Sequence, residues 1–533
     1  MVPEIVQRVL NPIIIITTRS YFFFVCLIFN LYNWFKPRES VAKPTDDLLL
    51  ISATQAVGMI AERKIQSADL VEAYIRRIEQ VNPMINAVCL SNFEEARDAA
   101  RDLDTRIADM DDDELHEYVQ NHPLAGVPFT MKDAMEVDGK IITCGVYNRK
   151  NTRCNRTAEV VKRVQNAGGI LLAITNVPEV CMWVESNNTV YGRTSNPYDT
   201  RRMAGGSSGG EGSLIGSAGS LIGVGSDIGG SIRMPSFFNG IFGFKSTPGV
   251  VPLDGHIPPP SGYRTKMLRV GPMCRYAEDI SLFFKVMGGD AVLPLKLDEP
   301  VSMRKIKVYY MEGIQENAFV QPLSRDMKKT LRKAVQYLET KHDLIAHRLS
   351  LPLARHAIEF FLTSMENKGG PTMKQYMLST EADQGSVNCL MEIPKLLFGK
   401  STHTVAGIMS GILDGADTMS EEMKKEFFYK RDRLIRELTE LLGNDGILLF
   451  PSWPCTALFH NQPLLSPFNF AYTALFNSLA LPVVQCPMGL DKNGLPLGVQ
   501  VVAAPQMDRL LIAAAKDLEE GFGGWVPPGT RHF

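Results

Sequence analysis

A glycine-rich stretch in the middle of the chain limits what the sequence can fold into more than any other segment does. Between residues 205 and 230, 11 of 26 residues are glycine, and leucine, isoleucine and valine are interleaved among them. A solvated glycine-serine linker has no reason to carry such apolar residues. The small residues at 212–220 predict a helix that packs its backbone close to a neighbour. "LIGVG" (221–225) predicts a buried strand that leads into a tight turn before Ser231.

Two other uses of a glycine-rich segment compete with this interpretation. The spacing fits neither phosphate-binding pattern, G-x-x-x-x-G-K-[ST] or G-x-G-x-x-G, because the next glycine after Gly225 is Gly229. "GGSSG" (205–209) and "GSSGG" (206–210) satisfy the G-x-S-x-G nucleophile elbow of Ser-His-Asp esterases, a pattern that arises by composition alone in such a run. That alternative stays open because the chain has late histidines at positions 356, 403, 460 and 532.

Short apolar runs bounded by glycine or proline recur along the rest of the chain. Five of them predict buried strands, at 125–131, 168–175, 446–450, 481–486 and 497–503. Helical patterns occur at 67–82, 322–342 and 420–442, and Ser67 is placed to cap the first of them. Buried strands separated by surface helices predict an α/β layered fold.

The N-terminus differs from everything after it. Residues 9–35 are mostly apolar, with a polar interruption at 17–19, and a polar, proline-containing linker follows. A membrane-spanning helix needs about 20 apolar residues, and no small-residue cleavage site follows the run. The pattern predicts an uncleaved membrane anchor over residues 1–36 and a linker over 37–49. Basic residues on the linker side slightly favour a cytosolic catalytic domain.

Composition argues against two classes of function. The formal net charge is -2, so the chain has no basic excess with which to neutralise nucleic-acid phosphates. The nine cysteines are odd in number and scattered, with no C-x-x-C pair and no cysteine-histidine cluster, which argues against a disulfide framework and a metal site. We therefore expect no nucleic-acid partner, no metal and no cofactor.

Several long motifs follow one another along the chain. They are "GVPFTMKDA" (126–134), "GGSSGGEG" (205–212), "GSDIGGSIRMPS" (225–236), "FNGIFGFKSTPG" (238–249) and "GLPLGVQVVA" (494–503). In this order they resemble the amidase signature family of serine hydrolases. The resemblance implies one catalytic domain over residues 50–533, with an α/β fold built on a large twisted mixed β-sheet flanked by helices on both faces.

The resemblance also implies a Ser-Ser-Lys catalytic triad. Lys132 of "TMKDA" is the expected base, Ser207 of "GGSSGG" the bridging serine, and Ser231 of "GGSIR" the nucleophile. The family holds the bridging serine through a cis peptide bond, which here is Gly206–Ser207. It places the oxyanion hole on backbone N–H groups that here belong to Ile228, Gly229, Gly230 and Ser231.

The residue types suit this chemistry. A serine hydroxyl becomes a strong nucleophile only when a base takes its proton, and a lysine is that base only when it is neutral. Burial favours a neutral amine, and the apolar run before Lys132 makes its burial expected. Glycines beside the nucleophile let a substrate approach the backbone without a Cβ in the way. Asp227 and Arg233 are expected to brace this loop, and Ser208 to be a structural hydrogen bonder.

The N-terminal anchor and "CMWVESNN" (181–188) resemble the membrane-bound fatty-acid amide hydrolases within the family. This implies a lipid amide substrate, either an N-acylethanolamine or a primary fatty amide, drawn from a membrane of the endoplasmic reticulum or of lipid droplets. Met182 and Trp183 fall where those enzymes line the acyl channel, with core packing as the alternative. Residues 394–413 are expected to form a helix that either dips into the bilayer surface or packs in the core.

Three other functions are consistent with the sequence: an amidase of the same family acting on small non-lipid amides, a Ser-His-Asp esterase, and a non-catalytic membrane-anchored binding protein. A single histidine substitution that abolished turnover would identify the esterase. A failure of fluorophosphonate to label Ser231 would favour the binding protein. The assembly state is open, with a homodimer among the options.

Overall fold

The structure is a computed structural model that describes residues 4–315, 317–366, 370–414 and 419–530, with side chains described from residue 16 onward. The strands in these ranges are β1 Val88–Ser91, β2 Pro128–Lys132, β3 Ile170–Thr175, β4 Asn187–Asn188, β5 Gly192–Arg193, β6 Ser195–Asn196, β7 Asp199–Met203, β8 Ile222–Asp227, β9 Phe242–Lys245, β10 Arg269–Cys274, β11 Lys307–Tyr310, β12 Ala346–Arg348, β13 Gly446–Pro451, β14 Val483–Leu490 and β15 Pro496–Ala503.

The α-helices in the same ranges are α1 Glu4–Trp34, α2 Ala53–Ala61, α3 Ser67–Ile85, α4 Phe93–Asp109, α5 Asp112–Asn121, α6 Glu159–Asn166, α7 Gly209–Gly216, α8 Arg233–Phe238, α9 Arg264–Met267, α10 Glu278–Gly288, α11 Arg325–His342, α12 Ala357–Met365, α13 Met373–Tyr376, α14 Cys389–Leu397, α15 Val405–Asp414, α16 Glu421–Leu442, α17 Ala471–Ser478 and α18 Asp508–Phe522. Several of them, including α10, α11 and α18, pack against the sheet described next.

One mixed sheet organises the molecule. Eleven strands pair in the order β1-β3-β2-β8-β10-β9-β14-β15-β13-β11-β12. Strands β3, β2 and β8 run parallel, so their carboxyl ends meet at one edge of the sheet. At that edge Lys132 pairs with Thr175, and β8 ends at Asp227. A large mixed sheet flanked by helices is therefore confirmed, and the edge where these three strands end is where such sheets place their sites.

All five strands predicted from apolar runs are present, as β2, β3, β13, β14 and β15. Every residue of β2, β3 and β13 is buried, as expected of strands covered on both faces. The charged segments 322–342 and 420–442 form α11 and α16. Each buries one apolar face, for example through Leu331 and Leu434.

The glycine-rich stretch folds into α7, the central strand β8 and two tight turns. All of α7 is buried. A Cβ at Gly212 would lie 2.9 Å from the Pro235 carbonyl oxygen, and one at Gly216 would lie 2.9 Å from the Asn239 carbonyl oxygen. Glycine is therefore what lets α7 lie against α8 and the residue that follows it. The prediction of a closely packed backbone rather than a linker is confirmed.

Helix α3 begins at Ser67, but Ser67 does not cap it. Its hydroxyl donates to the Gly126 carbonyl oxygen at 3.1 Å. The first N–H groups of the helix, on Ser67 and Ala68, donate to the Asp104 carboxylate of α4, both at 2.8 Å. A carboxylate from a neighbouring helix therefore replaces the local cap and also suits the positive end of the helix dipole.

The N-terminal segment forms α1, which lies on the surface formed by later parts of the chain. Phe22 and Val25 are buried against it, and the Tyr21 hydroxyl donates to the Leu465 carbonyl oxygen at 2.9 Å. Among the described residues, none of the helices combines the length and apolar character that crossing a membrane requires. The predicted spanning anchor is therefore not supported. The opposite side of α1 exposes a row of large apolar side chains, Phe23, Phe24, Leu27, Ile28, Leu31 and Trp34.

The prediction of a single helix over residues 394–413 is wrong. Helix α14 ends at Leu397, and α15 begins only at Val405. Gly399 between them has a φ of +66°, a left-handed conformation that ends a helix. Local apolar content predicted the helical parts, but the break depends on a backbone conformation that the pattern does not record.

Candidate active site

Lys132 ends β2 with its side chain only 1% exposed. Its Nζ lies 2.6 Å from Ser207 Oγ, 3.0 Å from Ser226 Oγ and 3.4 Å from the Ser226 carbonyl oxygen. The expected burial of this lysine is therefore observed. Its hydrogen-bond partners within the described part of the chain are oxygen atoms of two serines.

Ser207 lies in the turn between β7 and α7, and the Gly206–Ser207 peptide bond is cis, as expected. A Cβ at Gly206 would lie 2.5 Å from the Trp183 carbonyl oxygen, so only glycine fits there. The next residue, Ser208, donates its hydroxyl to the Ser226 carbonyl oxygen at 3.2 Å and accepts from the Ser226 N–H at 3.3 Å. Ser208 is thus a structural hydrogen bonder that ties this turn to the end of β8.

Ser231 lies in the turn between β8 and α8, on the loop expected to form the oxyanion hole. The Gly230 N–H donates to Asp227 Oδ1 at 2.7 Å and is therefore engaged within the protein. Within the described ranges, the N–H groups of Ile228, Gly229 and Ser231 have no backbone or side-chain acceptor. Three of the four expected donors are available to a substrate oxygen, and the fourth, the Gly230 N–H, is hydrogen-bonded to the carboxylate of Asp227.

Asp227 and Arg233 brace this loop from inside the protein. Both side chains are fully buried, and Asp227 Oδ2 lies 3.0 Å from Arg233 Nε. Arg233 also donates to Gln500 Oε1 at 2.9 Å and to Asn477 Oδ1 at 2.5 Å. Burial by itself raises the pKa of Asp227, but the adjacent guanidinium holds that pKa below its ordinary value. The carboxylate therefore stays ionised at neutral pH.

Thr473 of α17 holds the other side of the same loop. Its hydroxyl donates to the Gly229 carbonyl oxygen at 2.8 Å. Gly230 has a φ of +121°, and a Cβ there would lie 2.0 Å from Thr473 Oγ1. Both the backbone conformation and the close approach of Thr473 therefore require glycine at position 230.

Two adjoining cavities meet at the site. The smaller, of about 80 Å³, contains Lys132 and Ser207 in its wall. The larger, of about 190 Å³, opens on Ser231 and is mainly apolar. Its apolar lining includes Met182, Trp183, Met234, Phe361, Met365 and Phe470. The structure therefore brings Met182 and Trp183 beside Ser231, where an acyl channel was expected.

One residue of the smaller cavity was missed by sequence reasoning. His256 is buried, and its Nε2 lies 2.9 Å from Ser226 Oγ. The surrounding sequence, "DGHIPPP" (254–260), contains no catalytic pattern, so no sequence signal could have assigned it. The contact arises from the fold, which brings the turn after β9 over the end of β8.

Among the described residues, the late histidines do not contact Ser207 or Ser231, although His460 Nε2 lies 3.5 Å from Ser195 Oγ. His403 and His460 lie beside carboxylates, at 2.7 Å from Glu179 Oε1 and 2.6 Å from Glu185 Oε1 respectively. His532 lies outside the described residues. Over the ranges that the structure describes, no histidine hydrogen-bonds to Ser207 or Ser231, so the Ser-His-Asp alternative gains no support.

The comparisons with known proteins agree with this geometry. The sequence profile of the family described as Amidase matches residues 69–512. The chain belongs to the amidase signature family. Fatty-acid amide hydrolase 2 of Homo sapiens is 43% identical over 488 residues, which cover 91% of this chain and 91% of that relative. Fatty-acid amide hydrolase 2-B of Danio rerio is 40% identical over 491 residues, covering 91% and 92%.

Solved structures share the fold of this amidase signature protein. One of fatty acid amide hydrolase has a TM-score of 0.71 at 20% identity and covers 90% of this chain and 86% of its own. One of a protein described as an amidase has a TM-score of 0.70 at 23% identity and covers 89% and 100%. At these identities the structures establish the fold, while the sequence relatives establish that the protein is an amide hydrolase.

Proposed function

We propose that the protein hydrolyses fatty-acid amides, including N-acylethanolamines and primary fatty amides, to a fatty acid and an amine. The observation that carries the proposal is the 2.6 Å contact between Lys132 Nζ and Ser207 Oγ, next to an apolar cavity that opens on Ser231. The identity to two fatty-acid amide hydrolases supports the substrate class.

The proposed reaction begins with proton transfer through the two serines. Neutral Lys132 accepts the proton of Ser207 while Ser207 accepts that of Ser231, and the Ser231 oxygen attacks the amide carbonyl carbon. No hydrogen bond joins the Ser207 and Ser231 hydroxyls among the described residues, and such contacts often tighten only when substrate is bound. The oxygen that becomes negative is stabilised by free N–H groups of the 228–231 loop, at about 3 kcal/mol for each donor.

The second half of the reaction returns the protons. The relay delivers a proton to the amide nitrogen, the carbon–nitrogen bond breaks, and the amine leaves an ester on Ser231. Water then attacks the ester carbonyl and gives its proton to the same relay, which releases the carboxylate and restores the Ser231 hydroxyl. The two-serine relay therefore supplies the proton that an amide leaving group needs.

A lipid substrate is favoured by what surrounds the apolar cavity. Leu413 of α15 lies in the cavity wall, while Leu397 and Phe398 at the end of α14 are 81% and 78% exposed. Exposed apolar surface of this kind is typical of proteins that dock on membranes. The proposed entrance for an acyl chain is at Leu413, which both lines the cavity and is 53% exposed.

The apolar face of α1 adjoins the same region. Tyr21 of α1 donates to the Leu465 carbonyl oxygen, and the neighbouring Leu464 shares a cavity wall with Leu396 of α14. We therefore propose that α1 and α14–α15 attach the protein to one membrane surface. Flotation with phosphatidylcholine vesicles tests this: Leu397→Glu combined with Phe398→Glu should reduce binding, whereas Ile345→Glu, at a residue that is 76% exposed elsewhere, should not.

Hydrolysis of oleamide by detergent-solubilised protein tests the catalytic proposal. Lys132→Ala and Ser231→Ala should each lower kcat by roughly a thousandfold or more, and Ser91→Ala, at an exposed residue of β1, should leave it unchanged. Full activity of Lys132→Ala would remove the relay. A preference of the wild type for hexanamide over oleamide would instead favour the amidase of small amides.

A further inference from the structure

His256 takes no part in the proposed reaction, yet it hydrogen-bonds to a serine that contacts the base. It is 6% exposed, and the only polar side-chain oxygen within hydrogen-bond distance of its ring, among described residues, is Ser226 Oγ, 2.9 Å from Nε2. Its Nδ1 lies 3.1 Å from the Pro258 carbonyl oxygen. Ser226 Oγ is also 3.0 Å from Lys132 Nζ. The four groups form a chain from the Pro258 carbonyl to the lysine.

The Pro258 carbonyl oxygen, at one end of this chain of hydrogen bonds, determines which group donates in each of them. A carbonyl oxygen only accepts, so Nδ1 of His256 carries the ring proton, and Nε2 of the neutral imidazole has a lone pair. The Ser226 hydroxyl therefore donates its single proton to Nε2. Because its one proton is already donated to Nε2, Ser226 Oγ can only accept a hydrogen bond from Lys132 Nζ.

The donors and the lone pair of Lys132 can be assigned in the same way. A neutral amine has two N–H donors and one lone pair. The Ser226 Oγ and the Ser226 carbonyl oxygen, at 3.0 Å and 3.4 Å from Nζ, accept the two N–H groups. The lone pair then faces the third neighbour, Ser207 Oγ at 2.6 Å.

We propose that His256 is a positioning residue, which accepts the Ser226 proton so that the lone pair of Lys132 is directed at Ser207. The inference rests on the proposed function, because it concerns the base of that reaction. Without an acceptor at position 256, the Ser226 hydroxyl is free to donate to the Lys132 lone pair. Ser226 and Ser207 then compete for the one atom that starts the relay.

The neutral ring is maintained by its surroundings. Burial is the largest cause that lowers the pKa of His256, to about 4. The ring is therefore neutral at every pH at which the reaction is expected to run, and the Pro258 carbonyl oxygen beside Nδ1 selects the tautomer. The other titratable or charged residues that line the same cavity are Cys181, Arg264, Tyr376 and Asp414.

Oleamide kinetics across a pH series test the proposal. His256→Leu should lower the plateau kcat by about tenfold, the equivalent of one ordinary hydrogen bond, with KM unchanged. Because Lys132 acts as a base only when neutral, kcat should rise with pH. The midpoint of that rise should move to lower pH in His256→Leu, because the released Ser226 hydroxyl stabilises the neutral amine. His256→Gln, whose Oε1 can accept from Ser226, should restore both values toward those of the wild type.

The Ser226→Ala variant provides a second background in which the role of His256 can be tested. In Ser226→Ala no hydroxyl competes for the lone pair, so adding His256→Leu should change neither the plateau nor the midpoint further. A loss of kcat in His256→Leu with an unmoved midpoint would overturn the proposal, as would a full additional loss in the Ser226→Ala background. If His256→Leu does not fold, His256→Phe, which has a ring but no acceptor, takes its place, and an unmoved midpoint in that variant overturns the proposal. Activity in Lys132→Ala would instead refute the proposed relay itself.

Discussion

Replacing Asp227 by asparagine removes the negative charge that holds the loop carrying Ser231. The carboxylate accepts from Arg233 Nε at 3.0 Å, from the Gly230 N–H at 2.7 Å, from the Ile232 N–H at 3.2 Å and from Asn477 Nδ2 at 2.8 Å. Asparagine keeps the shape but has one oxygen instead of two. Whichever way the amide turns, its NH₂ group faces donors that had an acceptor before.

The expected cost can be worked out from that arrangement. Both members of the ion pair are 0% exposed, so Asp227→Asn leaves the Arg233 charge buried without a counter-charge. Breaking a buried pair in this way destabilises a protein by about 3–5 kcal/mol. The contribution of the pair is present at neutral pH and is lost as pH falls below about 3.9, the ordinary aspartate value, because the folded-state pKa is depressed.

Urea unfolding at neutral pH, followed by tryptophan fluorescence and circular dichroism together, measures this cost. Asp508→Asn is the matched control: Asp508 is equally buried, but burial raises its pKa and its partner is the uncharged Thr247, so its loss should be about 1 kcal/mol. Asp227→Asn combined with Arg233→Met should recover stability relative to Asp227→Asn alone. Equal losses for Asp227→Asn and Asp508→Asn would refute the reasoning.

Three further changes have definite expected results. Gly230→Ala should abolish oleamide turnover, because its Cβ would lie 2.0 Å from Thr473 Oγ1. Gly58→Ala, in α2 with open space around it and without a positive φ, should retain turnover, and similar rates for the two variants would contradict this. Trp183→Ala should reduce the ratio of kcat/KM for oleamide over hexanamide, and an unchanged ratio would remove Trp183 from the acyl channel. Burial raises the pKa of Glu211 to about 8. Its contribution to stability is therefore full below about 4.3, the ordinary glutamate value, and falls as pH rises from there toward about 8, because only the unfolded state loses its proton in that range. Glu211→Gln should therefore flatten the fall in urea midpoint over this range, and an identical slope in both proteins would show that Glu211 is not its source.

Motifs predicted more of the site than periodicity did. The order of the motifs identified Lys132 and Ser207, which are 75 residues apart in the chain and 2.6 Å apart in the structure. Periodicity and composition predicted the buried strands and the packed glycine stretch. His256 could not be found in either way, because no pattern marks its surroundings in the sequence and its partner Ser226 lies 30 residues away.

The errors have a common origin in contacts between distant segments. Ser67 has the residue type of a helix cap, but the N–H groups at the start of the helix donate to the Asp104 carboxylate of another helix instead. The N–H of Gly230, which the family resemblance assigned to the oxyanion hole, also has a partner from elsewhere in the fold, because it donates to Asp227. In each case the local prediction was chemically sound, and a competing partner brought by the fold changed the outcome.

The sequence by itself determined which segments are buried and which residue types can react. Buried segments show a pattern of apolar residues, and the chemical identity of each reacting side chain is given by the sequence. Only the tertiary structure decided which way each hydrogen bond points, which N–H groups remain free, and that α1 lies along the surface. The physical reason is that a donor has one proton to give, and its choice among acceptors depends on distances that the chain sets only after it has folded.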